Sequence, residues 1–194
     1  EEKTLDSFVE EIDDVVRESV KAHTIADVKV GSFLSSGVDS SYVASILRPD
    51  QTFTVGFSTE NFSEIDNAKE LSNELGIENV SQVLDPEECF NDLSKIQYMM
   101  DEPHSNPSII PLYYLARLAS EHVTVVLSGE GADELFGGYD LYSDTPNMKK
   151  FKNLPGFVKA FSSLIPSILP NSKIGHFIKR ANSSVEETFI GQAR

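Results

Sequence analysis

Basic residues are scarce in this chain of 194 residues, with 16 Lys and Arg against 31 Asp and Glu and a formal net charge of −15. A nucleic-acid binder carries a basic electrostatic footprint, so the deficit argues against one. Cysteine is nearly absent. Cys89 alone allows no internal disulfide, which excludes a disulfide-stapled scaffold and suits a reducing, cytoplasmic compartment. No apolar run approaches the ~20 residues of a membrane span, and no signal-peptide pattern opens the chain, so no membrane partner is expected. Two short glycosylation-type strings, Asn61-Phe62-Ser63 and Asn182-Ser183-Ser184, are of a kind that recurs by coincidence. Internal repeats and low-complexity segments are lacking too. The first residue is Glu1 rather than Met, and the expectation is a piece of something longer.

What is there is ample apolar material, 40% of residues, for one sizeable core. The charge is unevenly spread: residues 1–148 hold 8 basic and 29 acidic side chains (net −21), while 149–194 hold 8 and 2 (net +6).

Apolar residues at Leu5, Phe8, Val9, Ile12, Val15, Val16 and Val20 have helical spacing with acids opposite. Val28, Val30, Phe33 and Leu34 read as a short strand entering Ser35-Ser36-Gly37. A helix follows through Tyr42, Val43, Ile46 and Leu47, with Pro49 just past its end. Thr52 to Phe57 is β-branched and aromatic, a second strand. Ser63 is expected to cap a helix with the stripe Ile65, Ala68, Leu71 and Leu75, and Gly76 to stop it. Val80 to Leu84 makes a third strand, and Asp85-Pro86-Glu87-Glu88 reads as cap, first-turn proline and acidic first turn. Beyond a loop with Pro103, Pro107 and Pro111, a helix is expected over 112–120 and a fourth strand over 123–127. Strands alternating with helices give an α/β fold, a parallel sheet with helices on both faces. From Met148 prolines break short amphipathic stretches, the start of a helical region.

Ligands of such sheets sit beyond the carboxyl ends of the strands. Two loops there, 35–41 and 128–139, are dense in Ser, Gly and Asp. In the first, Phe33-Leu34-Ser35-Ser36-Gly37-Val38-Asp39-Ser40-Ser41, a strand passes through small residues into a helix. Backbone N–H groups and the dipole at a helix start form an anion site, serine hydroxyls add donors, and Gly37 admits close backbone approach. Neither common nucleotide fingerprint fits. No lysine follows as in G-x-x-x-x-G-K-[ST], and Glu134 stands where the third glycine of G-x-G-x-x-G would follow Gly129-Glu130-Gly131. An aspartate in place of that lysine implies a metal ion, since Mg²⁺ is held by one or two carboxylates plus phosphates. On composition alone, a serine-rich helix cap is the better account of this loop. By the same measure Glu130, Asp133, Glu134 and Asp140 are a solvated loop, and Val55 is core strand.

The string from Leu34 to Ser41 resembles the pyrophosphate-loop motif S-G-G-x-D-S, with Ser36 in place of its first glycine. The family it is closest to is glutamine-hydrolysing asparagine synthetase. Ser128-Gly129-Glu130-Gly131-Ala132-Asp133-Glu134-Leu135-Phe136-Gly137-Gly138-Tyr139 resembles that family's S-G-[ED]-G-x-D-E-x-F-x-G-Y throughout, and Asp101-Glu102-Pro103 resembles its D-E-P segment. The likeness covers most of 1–148 and extends loosely over the rest.

The resemblance implies an adenine-nucleotide alpha-hydrolase-like fold (a pyrophosphate-loop ATPase), with 1–148 as the nucleotide-binding synthetase domain and 149–194 as the incomplete start of its helical part. The implied reaction turns L-aspartate, ATP and ammonia into L-asparagine, AMP and pyrophosphate through β-aspartyl-AMP. Such chemistry needs positioning and charge neutralisation rather than a protein nucleophile. Carried over residue by residue, Ser35, Ser36, Gly37, Asp39 and Ser40 would hold phosphates. Phe33 and Val55, at strand ends, would hold adenosine, and Ser128 and Gly129 would contact the nucleotide. Asp39 and Asp133 would share Mg²⁺. Glu130, with Asp133 the catalytic pair, would handle a proton from ammonia. Ammonia would come from a glutaminase domain outside this chain, and the catalytic lysine would lie beyond position 194. The chain alone is then expected to bind Mg-ATP weakly and make no asparagine; homo-oligomerisation stays open.

His23, His104, His122 and His176 lack ligand spacing and read as structural or surface residues. Cys89 reads as a buried thiol, unlike the amino-terminal cysteine of glutamine hydrolysis. Tyr139 is an aromatic that can simply pack. Enzymes with the same motifs also close β-lactam rings or amidate other carboxylates. Transfer-RNA-modifying relatives are disfavoured by the −21 over the nucleotide half. A non-catalytic nucleotide-binding module is favoured by Ser36 alone.

Overall fold

The computed structural model describes residues 3–57, 64–102, 105–139, 144–169 and 171–183. Two compact units divide the chain, Glu1–Glu130 and Gly131–Arg194. That division precedes the change of charge at 148/149, because composition marks surface chemistry whereas contacts mark packing.

The first unit is built on four parallel strands, β1 (Val30–Phe33), β2 (Gln51–Phe57), β3 (Glu78–Leu84) and β4 (Val125–Leu127), in the order β3-β2-β1-β4. Register is fixed by pairs such as Phe33 with Phe53, Ser32 with Leu127 and Val55 with Gln82. Helices α1 (Leu5–His23), α2 (Val38–Leu47) and α3 (Ile65–Leu75) come from the first part of the chain. The connection from β3 to β4 carries α4 (Pro86–Asn91), α5 (Leu93–Met99) and α6 (Ile109–Ser120). The chain thus steps outward from β1 to β3 through α2 and α3, then returns across the sheet to β4. Right-handed crossovers taken in opposite directions place α2 and α3 on one face and α6 on the other. Two clusters fill those faces. Leu34, Ala44 and Ala68 pack with Leu71, while Leu84, Cys89, Ile96, Ile109 and Tyr114 pack with Val55 and Phe57. The expected parallel sheet with helices on both faces is what forms.

Elements with chemical punctuation keep to it. Asp85 caps α4 by accepting from the Glu87 N–H, Pro86 opens the helix, and Gly76 ends α3 in the left-handed region at φ 69°. Other boundaries move. The first strand excludes Val28, β3 begins at Glu78, and β4 is shortened to Val125–Leu127. Helix α6 starts at Ile109, before the expected 112, with Pro111 inside its first turn, where a missing N–H costs nothing. Residue Glu64, without a side-chain bond, caps α3; Ser63 lies outside the described residues, as do His104 and Asp140. The apolar stripe of α1 is largely open: Leu5, Phe8, Val9, Ile12 and Val15 are exposed, and only Val20 is buried.

The second unit contains α7 (Ala132–Phe136), α8 (Pro146–Lys152), α9 (Gly156–Ser162), α10 (Ile165–Ile168) and α11 (Lys173–Asn182). Its small core holds Met148, Ile178 and Ala181, with the Phe151 and Phe177 rings edge to face at 5.8 Å. The helical character expected of this region is present. Among the described residues, no helix is long and apolar enough to cross a membrane.

Candidate functional site

The order of connection reverses direction between β1 and β4, since the chain runs outward from β1 to β3 and then returns to pair β4 with β1. This is where a crevice outside the carboxyl ends of the strands belongs. Both Ser/Gly/Asp-rich loops emerge at this point, the first over 34–37 and into the start of α2, and the second from Ser128.

The first loop is closed by its own side chains. The Ser40 hydroxyl accepts from the Ser35 N–H at 3.1 Å, lies 2.8 Å from the Ser35 hydroxyl and donates to the Gly37 carbonyl at 3.2 Å. Ser35 Oγ in turn accepts from the Gly37 N–H at 3.0 Å, and the Ser41 hydroxyl donates to the Gly37 carbonyl at 2.7 Å. Ser35 and Ser40 are therefore tied into the turn, while Ser36, Gly37 and Val38 are exposed. Gly37 has an ordinary φ of −75° and serves as the N-cap of α2 without a side-chain cap bond. The first-turn amides of that helix consequently carry no side-chain cap and lie at the positive end of its dipole. Asp39, half-buried, occupies the same first turn.

The second loop is seated on the first by backbone contact. A Cβ on Gly129 would stand 2.6 Å from the Ser40 nitrogen and 2.7 Å from the Asp39 carbonyl carbon, closer than side chains are found. Only a residue without a side chain fits. Ser128 and Glu130 are exposed beside it, and Ser128 Oγ accepts from the Glu130 N–H at 3.4 Å.

Within the second unit, α7 is bounded by Gly131 (φ 92°) and Gly137 (φ 67°), both left-handed. Asp133 lies in its first turn, and a Cβ on Gly138 would fall 1.9 Å from Asp133 Oδ1. The Tyr139 hydroxyl donates to Glu134 Oε1 at 2.7 Å, while Glu134 Oε2 is buried without a hydrogen-bond partner among the described residues. Tyr139 therefore does more than pack. Among the described residues, no group of three or more His, Cys, Asp or Glu side chains could hold a metal by itself. A carboxylate such as Asp39 suits a metal whose remaining ligands are phosphate oxygens and water.

A family model described as asparagine synthase matches residues 11–190. The chain belongs to the asparagine synthase family. It is 43% identical to asparagine synthetase [glutamine-hydrolyzing] 1 of Bacillus subtilis (strain 168), over 97% of this chain and 31% of that protein. It is 40% identical to a putative asparagine synthetase [glutamine-hydrolyzing] of Mycobacterium tuberculosis (strain ATCC 25618 / H37Rv), over 95% of the chain and 29% of that protein. The chain thus spans under a third of the length of these relatives. Among solved structures, it is similar to an NH3-dependent NAD synthetase from Campylobacter jejuni, at 16% identity and TM-score 0.44, covering 96% of this chain and 95% of that one. So loose a likeness adds nothing to the fold, which rests on strand order and crossovers.

Of the residues singled out as asparagine-synthase site residues, the first unit brings Ser35, Ser36, Gly37, Asp39, Ser40, Ser128, Gly129 and Glu130 to the β1/β4 switch point. Phe33 ends β1 there. Val55 does not end its strand: two residues of β2 follow it, and it packs with the Leu84 and Tyr114 cluster. Asp133 belongs to the second unit. Of the described histidines, His23, His122 and His176, none belongs to a group of three or more potential metal ligands; His23 Nδ1 is 2.7 Å from the Ser19 carbonyl oxygen and the His122 ring is 5.6 Å from that of Phe53. Cys89 is buried, as expected, and burial pushes its thiol pKa up. Sequence reading missed buried Thr54, whose hydroxyl bonds the Leu34 carbonyl where β1 feeds the first loop, and half-buried Asn79, whose amide bonds that hydroxyl. The signal was present in the alternation of threonines through Thr52-Phe53-Thr54, where an apolar strand face would carry Val or Ile.

Proposed function

We propose that this chain is the ATP-activating part of an asparagine synthetase, joining ammonia to the side-chain carboxylate of L-aspartate at the expense of ATP. The observation that carries the reading is the backbone seating of Gly129 on Asp39 and Ser40, beside the uncapped start of α2 at the switch point. Amides without a side-chain cap and a helix dipole suit phosphates, and Ser36 and Ser128 are exposed beside them.

In the first half-reaction a carboxylate oxygen of aspartate attacks the α-phosphorus, and pyrophosphate leaves with the electron pair of the broken P–O bond. In the second, ammonia attacks the acyl carbon of β-aspartyl-AMP, AMP departs, and the proton lost from nitrogen goes to a base. Glu130, exposed at the end of the second loop, is the group for that proton. The amides of α2 orient the phosphates in line with the incoming carboxylate. Asp39 would hold Mg²⁺, which supplies charge neutralisation on the phosphates when bound, and Asp133 is a second carboxylate of the family's motif on which the reaction is expected to depend. Ammonia would come from a glutaminase domain of the same enzyme, as the names of the relatives suggest.

The test is exchange of radiolabelled pyrophosphate into ATP by the complete protein. Exchange is expected to require L-aspartate and to fall on the order of a hundredfold in Asp39→Asn and in Asp133→Asn. Exchange that proceeds equally without aspartate, or at the wild-type rate in Asp39→Asn, overturns the assignment.

A further inference from the structure

The first loop inherits its position from Leu34, the residue at which the chain leaves the sheet. Leu34 is buried, and its two backbone groups are both held by β2. Its N–H donates to the Phe53 carbonyl at 2.9 Å, and its carbonyl accepts from the buried Thr54 hydroxyl at 2.8 Å. The hydroxyl therefore takes a place at the exit of the strand that a ladder N–H would otherwise fill. A hydroxyl has one proton, and here its direction is determined. Asn79 Nδ2 donates to Thr54 Oγ1 at 2.9 Å and to Thr52 Oγ1 at 3.0 Å, so the Thr54 proton is left for Leu34. Asn79 Oδ1 is buried with no partner among the described residues. An orphaned buried acceptor is costly, so the fold retains this amide for its donors.

We propose that Thr54, oriented by Asn79, is a positioning residue for the phosphate loop: its hydroxyl fixes the Leu34 peptide from which Ser35 to Ser40 and the start of α2 are suspended. This rests on reading 35–41 as a phosphate loop. Thr52 is the matched comparison. It lies on the same strand, is equally buried and shares the Asn79 amide, but its hydroxyl donates at 3.3 Å to the Glu78 carbonyl, away from the loop.

The experiment compares Thr54→Val, Thr54→Ser and Thr52→Val in the complete protein by amide hydrogen exchange over 33–41 without nucleotide, and by calorimetric titration with Mg-ATP. Thr54→Val is expected to speed exchange in that segment about tenfold and to weaken Mg-ATP binding about tenfold, with Thr54→Ser restoring both to about twofold of wild type. Thr52→Val is expected to lower the melting temperature while leaving both readouts near wild type. Unchanged exchange in Thr54→Val, or equal effects from Thr52→Val, overturns the proposal. Should the wild type bind no Mg-ATP, the nucleotide reading falls, and faster exchange in Thr54→Val alone still supports the hold on the loop.

Discussion

A Cβ placed on Gly129 meets backbone, the Ser40 nitrogen at 2.6 Å and the Asp39 carbon at 2.7 Å. A Cβ on Gly138 meets the far end of a side chain, Asp133 Oδ1 at 1.9 Å. Backbone cannot step aside, whereas a carboxylate can rotate. Gly129→Ala is therefore expected to cost about 1–3 kcal/mol of stability by forcing the two loops apart. Gly138→Ala is expected to cost less, and to act by turning the Asp133 carboxylate away, which lowers pyrophosphate exchange. Urea denaturation of both variants beside the exchange assay checks this. Equal destabilisation by the two substitutions would sink the distinction. The motif strings made both glycines and Asp133 legible in the sequence, but not the roles of their neighbours. Ser35 and Ser40 read as donors for a ligand, yet their hydroxyls bond each other and the turn. Such pairings depend on three-dimensional closure that spacing does not encode.

Elements were legible where chemistry punctuates them, as at Asp85-Pro86 and Gly76. They were less so where tertiary packing decides, as at the start of α6, which extends back through Pro111 to bury Ile109. The α4–α6 layer also carries a pH signature. Tyr114 is fully buried there, and its hydroxyl donates to Asp92 Oδ2 at 3.0 Å. Burial first, and that bond second, push the phenol pKa up, and burial does the same for the Cys89 thiol. Both groups are neutral when protonated, and the folded chain holds both protons more tightly than the unfolded chain does. Their contribution to stability is thus complete below the ordinary thiol pKa of about 8.5 and is lost as pH rises beyond it. The urea midpoint is expected to fall between about pH 8 and 10.5, and to fall less steeply in Tyr114→Phe with Cys89→Ala. An identical slope in that double variant would show that the alkaline loss arises elsewhere.

At the scale of the whole chain, alternation of strands and helices indicated a parallel sheet, but not that β4 returns to pair with β1. That order depends on which side of β1 the long connection closes, a matter of global packing. Periodicity was equally silent on exposure. Helical stripes of apolar residues predict a buried face, and here several are uncovered. In α1, Phe8 is 48% and Ile12 is 40% exposed; in α9 and α10, Phe161 is 78% and Ile168 is 73% exposed. Compact monomers seldom display contiguous apolar patches beyond a few hundred Å². This chain is accordingly expected to enhance the emission of Nile red, a neutral dye, so that neither the acidic excess of 1–148 nor the lysines of 149–179 draws it electrostatically. Substituting Phe161→Ser together with Ile168→Ser should remove a measurable part of that emission. The melting temperature should barely move, because side chains this exposed contribute within about 0.5 kcal/mol. Emission unchanged by the double substitution would mean that these stripes are covered in solution, and a large drop in melting temperature would mean that they pack.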